Sequence, residues 1–201
     1  MHKRFKTGNV LEDFHFNDDM RAMRRAKDLI HSFNHEMRFT NVATVHMNEA
    51  GVWTNINPPH YKWLVEPLIE GRFIKFNSNT GYTNGDSLMD ALSHYSYHAT
   101  AGKELLCDVQ GGKYERSYVL TDPIIMSRDR QYGPTDLGLD GMSTFFSQHR
   151  CSRHCRYAMR RQGGRRRGRE REREREREKR GRGRREDEEE ETDLFQRKES
   201  T

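Results

Sequence analysis

From Asn17 to Asn34 the chain reads NDDMRAMRRAKDLIHSFN, with Met20, Met23, Ala26, Ile30 and Phe33 spaced three or four residues apart among charged positions. That period predicts an amphipathic helix over 17–34 whose methionines fill a core rather than touch a ligand. Asn17, Asp18 and Asp19 stand where a cap or a dipole partner is favoured. The pattern then changes. Residues 39–47 (FTNVATVHM) and 61–69 (YKWLVEPLI) are dense in β-branched and aromatic side chains between Asn, Gly and Pro clusters, which predicts strands. Next, GRFIKFNSNTGYTNG runs from a short apolar stretch into a turn-rich loop.

Helical spacing returns at Leu88, Ala91, Leu92 and Tyr95, behind Asp86 or Ser87 as a cap, so a helix is expected through about His98, with His94 at the edge of its stripe. KELLCDVQG predicts a buried strand that delivers Asp108 and Gln110 beside Gly111 and Gly112. After VLTDP and the loop YGPTDLG, a short helix from Asp140 to about Gln148 carries Met142, Phe145 and Phe146. HRCSRHC is the last segment expected to fold.

Composition divides the chain there. Arg156–Thr201 holds 18 of the 36 Lys and Arg but only 13 of the 31 Asp and Glu, which is the whole formal +5, so the folded part is neutral. Large apolar residues are concentrated before Met159, which implies one domain over 1–157 and a low-complexity, disordered Arg/Glu-rich tail over 158–201. In the tail's Arg/Glu alternation, i,i+3 pairs are opposite in sign and i,i+4 pairs alike, so a helix there gains little from pairing. No apolar run reaches membrane-spanning length and the N-terminus MHKRFKTGNV is charged, so no membrane association and a cytoplasmic location are expected, with the nucleus also open.

Three cysteines fit a metal site better than a disulfide framework. His149, Cys151 and Cys155 are spaced H-x-C-x₃-C, and a tetrahedral zinc site needs one more nitrogen or sulfur; His94 is the candidate, with His98 and His154 as rivals. Cys107 reads as a small buried strand residue. A second constellation comprises Asp108, Gln110 and Asp122, hard oxygen donors at strand ends that suit Mg²⁺ held together with substrate phosphates. The loop Gly133–Gly138 lets backbone approach a phosphate or a peptide but lacks the Lys-Ser/Thr ending of a P-loop.

In order along the chain, FN at Phe33, VEPLIEGRFIKFNSNTG, ALSHYSYHATAGKELLCDVQGG, LTDP and YGPTDLGLDGMSTFFSQHRCSRHC together resemble the alpha-kinase family, over most of residues 14–155. The resemblance implies an α+β, two-lobed, protein-kinase-like fold with a structural Zn²⁺ in the C-terminal lobe held by His94, His149, Cys151 and Cys155. It implies ATP-dependent phosphoryl transfer to Ser/Thr hydroxyls of a protein substrate, with Asp108 as base and Gln110 and Asp122 as Mg²⁺ ligands. Either carboxylate, Asp108 or Asp122, serves as base if it reaches the hydroxyl. On the nucleotide side the resemblance implies Glu66 at the hinge by the adenine, Lys75 and Asn79 in the KFNSN stretch, and Asp136 in the glycine loop. A carboxylate at Asp136 repels a γ-phosphate unless Mg²⁺ or a proton intervenes.

Family members begin with further strands, a glycine-rich loop and a strand lysine. Here MHKRFK offers Lys3 for that lysine, with Lys6 the alternative, and the N-terminal lobe is expected to be incomplete. An inactive kinase-like domain whose Arg-rich tail binds RNA or acidic partners is the competing expectation, weakened by the EDEEEE block that competes for the same arginines.

Overall fold

The fold is that of a computed structural model describing residues 2–3, 12–57 and 62–160, together with Glu172, Glu174 and Glu176. Contacts divide the chain into two units, Met1–Met159 and Arg160–Thr201. Of the second unit, Arg160, Glu172, Glu174 and Glu176 are described and are helical. Arg and Glu are good helix formers, so the cancelling pair energies do not forbid this state; the rest of the tail, and the disorder expected of it, lie outside the described residues.

The first helix, α1 (Glu12–Met37), is longer than its predicted span at both ends. Asp18 and Asp19 therefore lie inside the helix and are not caps; Asp18 pairs with Arg21 one turn on. Ala22, Met23, Ala26, Leu29, Ile30, Phe33 and Met37 are buried on one face, as the period requires. Asn34 explains the Phe-Asn pair at the end of that face: its amide donates to the Val45 carbonyl at 2.7 Å and accepts from the Val45 N–H at 3.1 Å. Such an amide copies a strand neighbour and pins α1 to the open edge of β2 (Thr44–Met47).

β2 pairs in parallel with β8 (Ser117–Thr121), which pairs antiparallel with β7 (Gln110–Lys113), and β7 with β5 (Phe73–Lys75), giving a sheet in the order β2-β8-β7-β5. A second sheet joins β1 (His2–Lys3), β4 (Lys62–Val65) and β3 (Gly51–Thr54) in the order β1-β4-β3. β6 (Glu104–Cys107) and β9 (Ile124–Ser127) form a two-stranded ladder. Cys107 is a buried residue of β6, as expected, and burial pushes its thiol pKa up. The predicted strand KELLCDVQG is thus two strands in two sheets, broken at Asp108. Helix α2 (Ser87–Ala99) buries Leu88, Met89, Ala91, Leu92 and Tyr95 in the main core. α3 (Gly138–Gln148) lays Met142 and Phe145 against Leu105, Cys107 and Met126. Of HRCSRHC (149–155), the last segment expected to fold, residues 153–155 are helical and the helix runs on through 159.

Candidate active site and metal cluster

The change of sheet at Asp108 makes the site. β6 belongs to one ladder and β7 to another, so the chain turns between them, and Asp108 takes a left-handed φ of 54° to do so. Asp122 makes a matching corner between β8 and β9 with φ 49°. Asp is among the few side chains that tolerate this region, and held residues of this kind cluster at functional sites.

Asp108 and Asp122 both line one cavity of about 200 Å³, with Asp19, Met23, Leu64 and Thr135. Asp108 is buried; the Lys75 ammonium lies 2.6 Å from its Oδ1 and the Gln110 amide donates to its Oδ2 at 2.9 Å. The same Gln110 amide reaches the Asp122 carbonyl at 3.5 Å. Asp108, Gln110, Asp122 and Lys75, read separately from the sequence, therefore stand together.

Other expected contacts fall differently. Glu66 is buried, and its carboxylate accepts from the Asn48 amide at 3.3 Å and from the Thr121 hydroxyl, so it is turned into the protein and does not line the cavity. Asn79 donates to the Thr135 carbonyl at 3.3 Å, bridging the KFNSN stretch to the glycine loop. Lys3 pairs backbone to backbone with Leu64, a cavity residue; its side chain lies outside the described residues.

Asp136, expected among the nucleotide contacts, has its carboxylate turned to its own loop and to β9. Its buried carboxylate accepts from the backbone N–H of Ser127 (2.9 Å), Tyr132 (3.3 Å) and Gly138 (2.9 Å) and from the Ser127 hydroxyl (2.6 Å). These bonds stabilise the charge and tie the loop to β9. Asp19 lines the cavity although the sequence showed only a helix acid; its position along α1 becomes informative once the packed face is known.

The metal-type donors meet at a second place. Nδ1 or Nε2 of His94 and His149 and Sγ of Cys151 and Cys155 all lie within 4.8 Å of one another. Cys151 Sγ is 3.5 Å from His94 Nδ1, and Cys155 Sγ is 3.5 Å from His149 Nε2. The rivals are not among these four: His98 sits against the outer nitrogen of His94, Nε2 to Nε2 at 3.1 Å, and His154 Nδ1 contacts the Ser87 hydroxyl at 3.2 Å. His94 comes from α2, His149 is the C-cap of α3, and Cys155 lies in the helical stretch 153–159. Phe145 stacks on His149 with centroids 5.0 Å apart, and Phe146 meets His94 edge-on at 5.2 Å. Burial, then His149 and His98, pushes His94 down to about 4; burial also lowers His149. Burial thus disfavours the charged imidazolium at both, and the neutral imidazole is the form that ligates a metal.

A mixed α/β domain with paired carboxylates at left-handed corners and a His₂Cys₂ cluster is the class these observations define. The chain belongs to the alpha-kinase family, whose model matches residues 1–155. It is 33% identical over 129 residues to alpha-protein kinase vwkA of Dictyostelium discoideum, covering 62% of this chain and 20% of that protein. It is 33% identical over 156 residues to transient receptor potential cation channel subfamily M member 6 of Mus musculus, covering 68% of this chain and 7% of that protein. The alpha-kinase domain of myosin heavy chain kinase A in complex with ADP superposes with a TM-score of 0.68 at 26% identity, covering 78% of this chain and 62% of that one. The chain thus spans a small part of the curated relatives' length.

Proposed function

We propose that the chain is a protein kinase domain that transfers the γ-phosphoryl group of ATP to Ser or Thr hydroxyls of a protein substrate, with Mg²⁺. The observation that carries this reading is the shared cavity wall of Asp108 and Asp122, with Lys75 and Gln110 on Asp108. Family membership and likeness to an ADP-bound alpha-kinase domain support it. In the reaction the substrate oxygen bonds to the γ-phosphorus as the β–γ bridging bond breaks, ADP leaves, and the hydroxyl proton passes to Asp108. Asp122 and Gln110 would hold Mg²⁺, which neutralises phosphate charge when bound. Lys75 has a cation's choice between Asp108 and a phosphate; nucleotide entry draws it to the phosphate and releases the carboxylate as base.

At the second cluster, two nitrogens and two sulfurs within 4.8 Å of one another match the donor set of Zn²⁺, for which Zn–N near 2.0–2.1 Å and Zn–S about 2.3 Å give tetrahedral donor separations of roughly 3.3–3.8 Å. The two 3.5 Å N···S contacts fit that geometry. With four protein donors the ion would be structural rather than catalytic.

The test is ATP-dependent ³²P incorporation into a generic basic protein by the full chain, beside Asp108→Ala, with zinc measured on the same sample. Incorporation that falls by about 10²–10⁴-fold in the variant is expected. Absence of incorporation by zinc-loaded, folded wild type sinks the enzyme reading and moves attention to the Arg-rich tail.

A further inference from the structure

Asp108 leaves β6 in a left-handed conformation and Gln110 opens β7, so Val109 falls between the two ladders and pairs with no strand residue on either side. Its polar groups nevertheless have partners, and they come from one short stretch. The Val109 carbonyl accepts from the N–H of Phe76 at 2.8 Å and of Asn77 at 3.2 Å. Its N–H donates to the Asn77 side-chain oxygen at 3.1 Å. The other end of the Asn77 amide donates to the Ser93 hydroxyl at 3.0 Å, on α2 beside His94. Asn77 is 1% exposed and Ser93 is 0% exposed, so no water competes for these bonds.

We propose that Asn77 is a positioning residue for phosphoryl transfer: its side chain supplies the backbone bond that the sheet cannot, and so holds the Asp108-Val109-Gln110 peptide in the corner that aims the Asp108 carboxylate into the cavity. The proposal rests on the kinase reading for its catalytic consequence, though the geometry it describes does not. A left-handed Asp costs energy relative to ordinary backbone and persists only where its surroundings over-determine it. Asn77 is the side chain that fixes Val109, the residue next to Asp108, and its bond to Ser93 anchors it to α2, which packs in the main core. Neither Asp108 nor Gln110 is touched by Asn77 in any bond given above, so its effect passes through the backbone of Val109.

Two variants of the full chain test this. Asn77→Leu keeps the volume and deletes both polar ends, while Asn77→Asp, held as the neutral acid by burial, keeps an oxygen facing Val109 and a hydroxyl that replaces the amide toward Ser93. Amide exchange at Val109, kcat, KM for ATP, melting temperature and zinc content are measured on each. In the Leu variant the Val109 amide should exchange at least about 100-fold faster, its bond having been removed. Its kcat should fall about 100-fold with KM for ATP within about twofold and zinc retained, because a small misplacement of a reacting group costs that much. The Asp variant should restore most of both. Retained Val109 protection and kcat in the Leu variant would overturn the proposal. So would kcat, KM and melting temperature failing together in both variants, or a Leu variant that does not fold beside an Asp variant no better, since Asn77 would then be packing alone. If wild type transfers no phosphate, the kinase reading fails, and Val109 exchange in the two variants decides this proposal by itself.

Discussion

At the scale of single residues, the site depends on backbone positions that most side chains resist. Gly111 follows Gln110 with φ +149°, and a Cβ built there would lie 2.0 Å from the Val119 carbonyl oxygen of the neighbouring strand. A main-chain atom cannot step aside as a flexible side-chain tip does, so Gly111→Ala should destabilise the domain by more than about 2 kcal/mol in urea unfolding. Gly85 has φ +83° and nothing within 4 Å of its would-be Cβ, so Gly85→Ala should cost only about 1 kcal/mol, the conformational term alone. Equal losses at the two positions would mean that the approach of β7 to β8 is looser than described. The residues that stand together here were legible as types and order: Asp108, Gln110, Asp122, His94, His149, Cys151 and Cys155 could each be named from spacing and resemblance. What could not be read was direction. Nothing in the letters distinguishes the inward Glu66, hydrogen-bonded to Thr121 and Asn48, from one facing a ligand, or the Asp136 that binds its own loop from one that meets a phosphate.

Among elements, the helices were legible because a 3.6-residue period survives burial on one face, whereas short strands lacked any comparable signal. β3 is four residues long and leaves Val52 and Trp53 exposed, so it shows no alternation to detect. The apolar start of the run 39–47 is a turn, not a strand: Thr40 bonds back to the Met37 carbonyl through both its N–H and its hydroxyl, and Phe39 is exposed. The α2 cap, left open between Asp86 and Ser87, is Asp86, whose Oδ1 accepts from the N–H of Leu88 and Met89. Its other oxygen takes Lys113 at 2.9 Å and the Tyr118 hydroxyl at 3.0 Å, so one carboxylate joins the helix to β7 and β8. Burial alone would raise this carboxyl, but the Lys113 bond, the Met89 N–H and Tyr118 outweigh it and hold the pKa below its ordinary 3.8. A depressed acid contributes stability that is complete above the unfolded pKa and is lost as pH falls through the folded one. Asp86→Ala should therefore cost about 1–2 kcal/mol near pH 7, and its deficit against wild type should shrink only below about pH 4. Denaturant titrations of both proteins at pH 7 and in the acid range check this; a deficit unchanged into strong acid would show that the charge has no part in it.

For the domain as a whole, the His₂Cys₂ cluster draws its donors from α2, the end of α3 and the helical stretch that follows. α2 supplies His94, His149 caps the end of α3 beside the smaller core of Leu105, Met126, Met142 and Phe145, and Cys155 lies in the following helical stretch, whose Cys155 and Ala158 are buried in the main core. Among the described residues, buried His149 Nδ1 has no hydrogen-bond partner, so coordination through Nε2 is what would fix this ring. His94 is better supported, since His98 meets its Nε2 and leaves Nδ1 facing Cys151. An ion that binds only the folded cluster stabilises the domain by mass action, about 4 kcal/mol when free zinc is a thousandfold above its dissociation constant. For a domain of this size that corresponds to a melting temperature higher by on the order of 10 °C. Stripping with a strong chelator should lower the melting temperature by that amount, release one zinc per chain and open the segment around Cys151 to protease, and added zinc should reverse all three. Because Ser93 lies beside His94 and carries Asn77, Val109 amide exchange should also rise on stripping, though less than in Asn77→Leu, whose bond is deleted outright. A chain that holds no zinc and melts at the same temperature with or without chelator would leave the cluster as histidines and cysteines packed together, and the two cores would be joined by β6, by apolar packing and by bonds such as Leu106 N–H to the Ser96 hydroxyl.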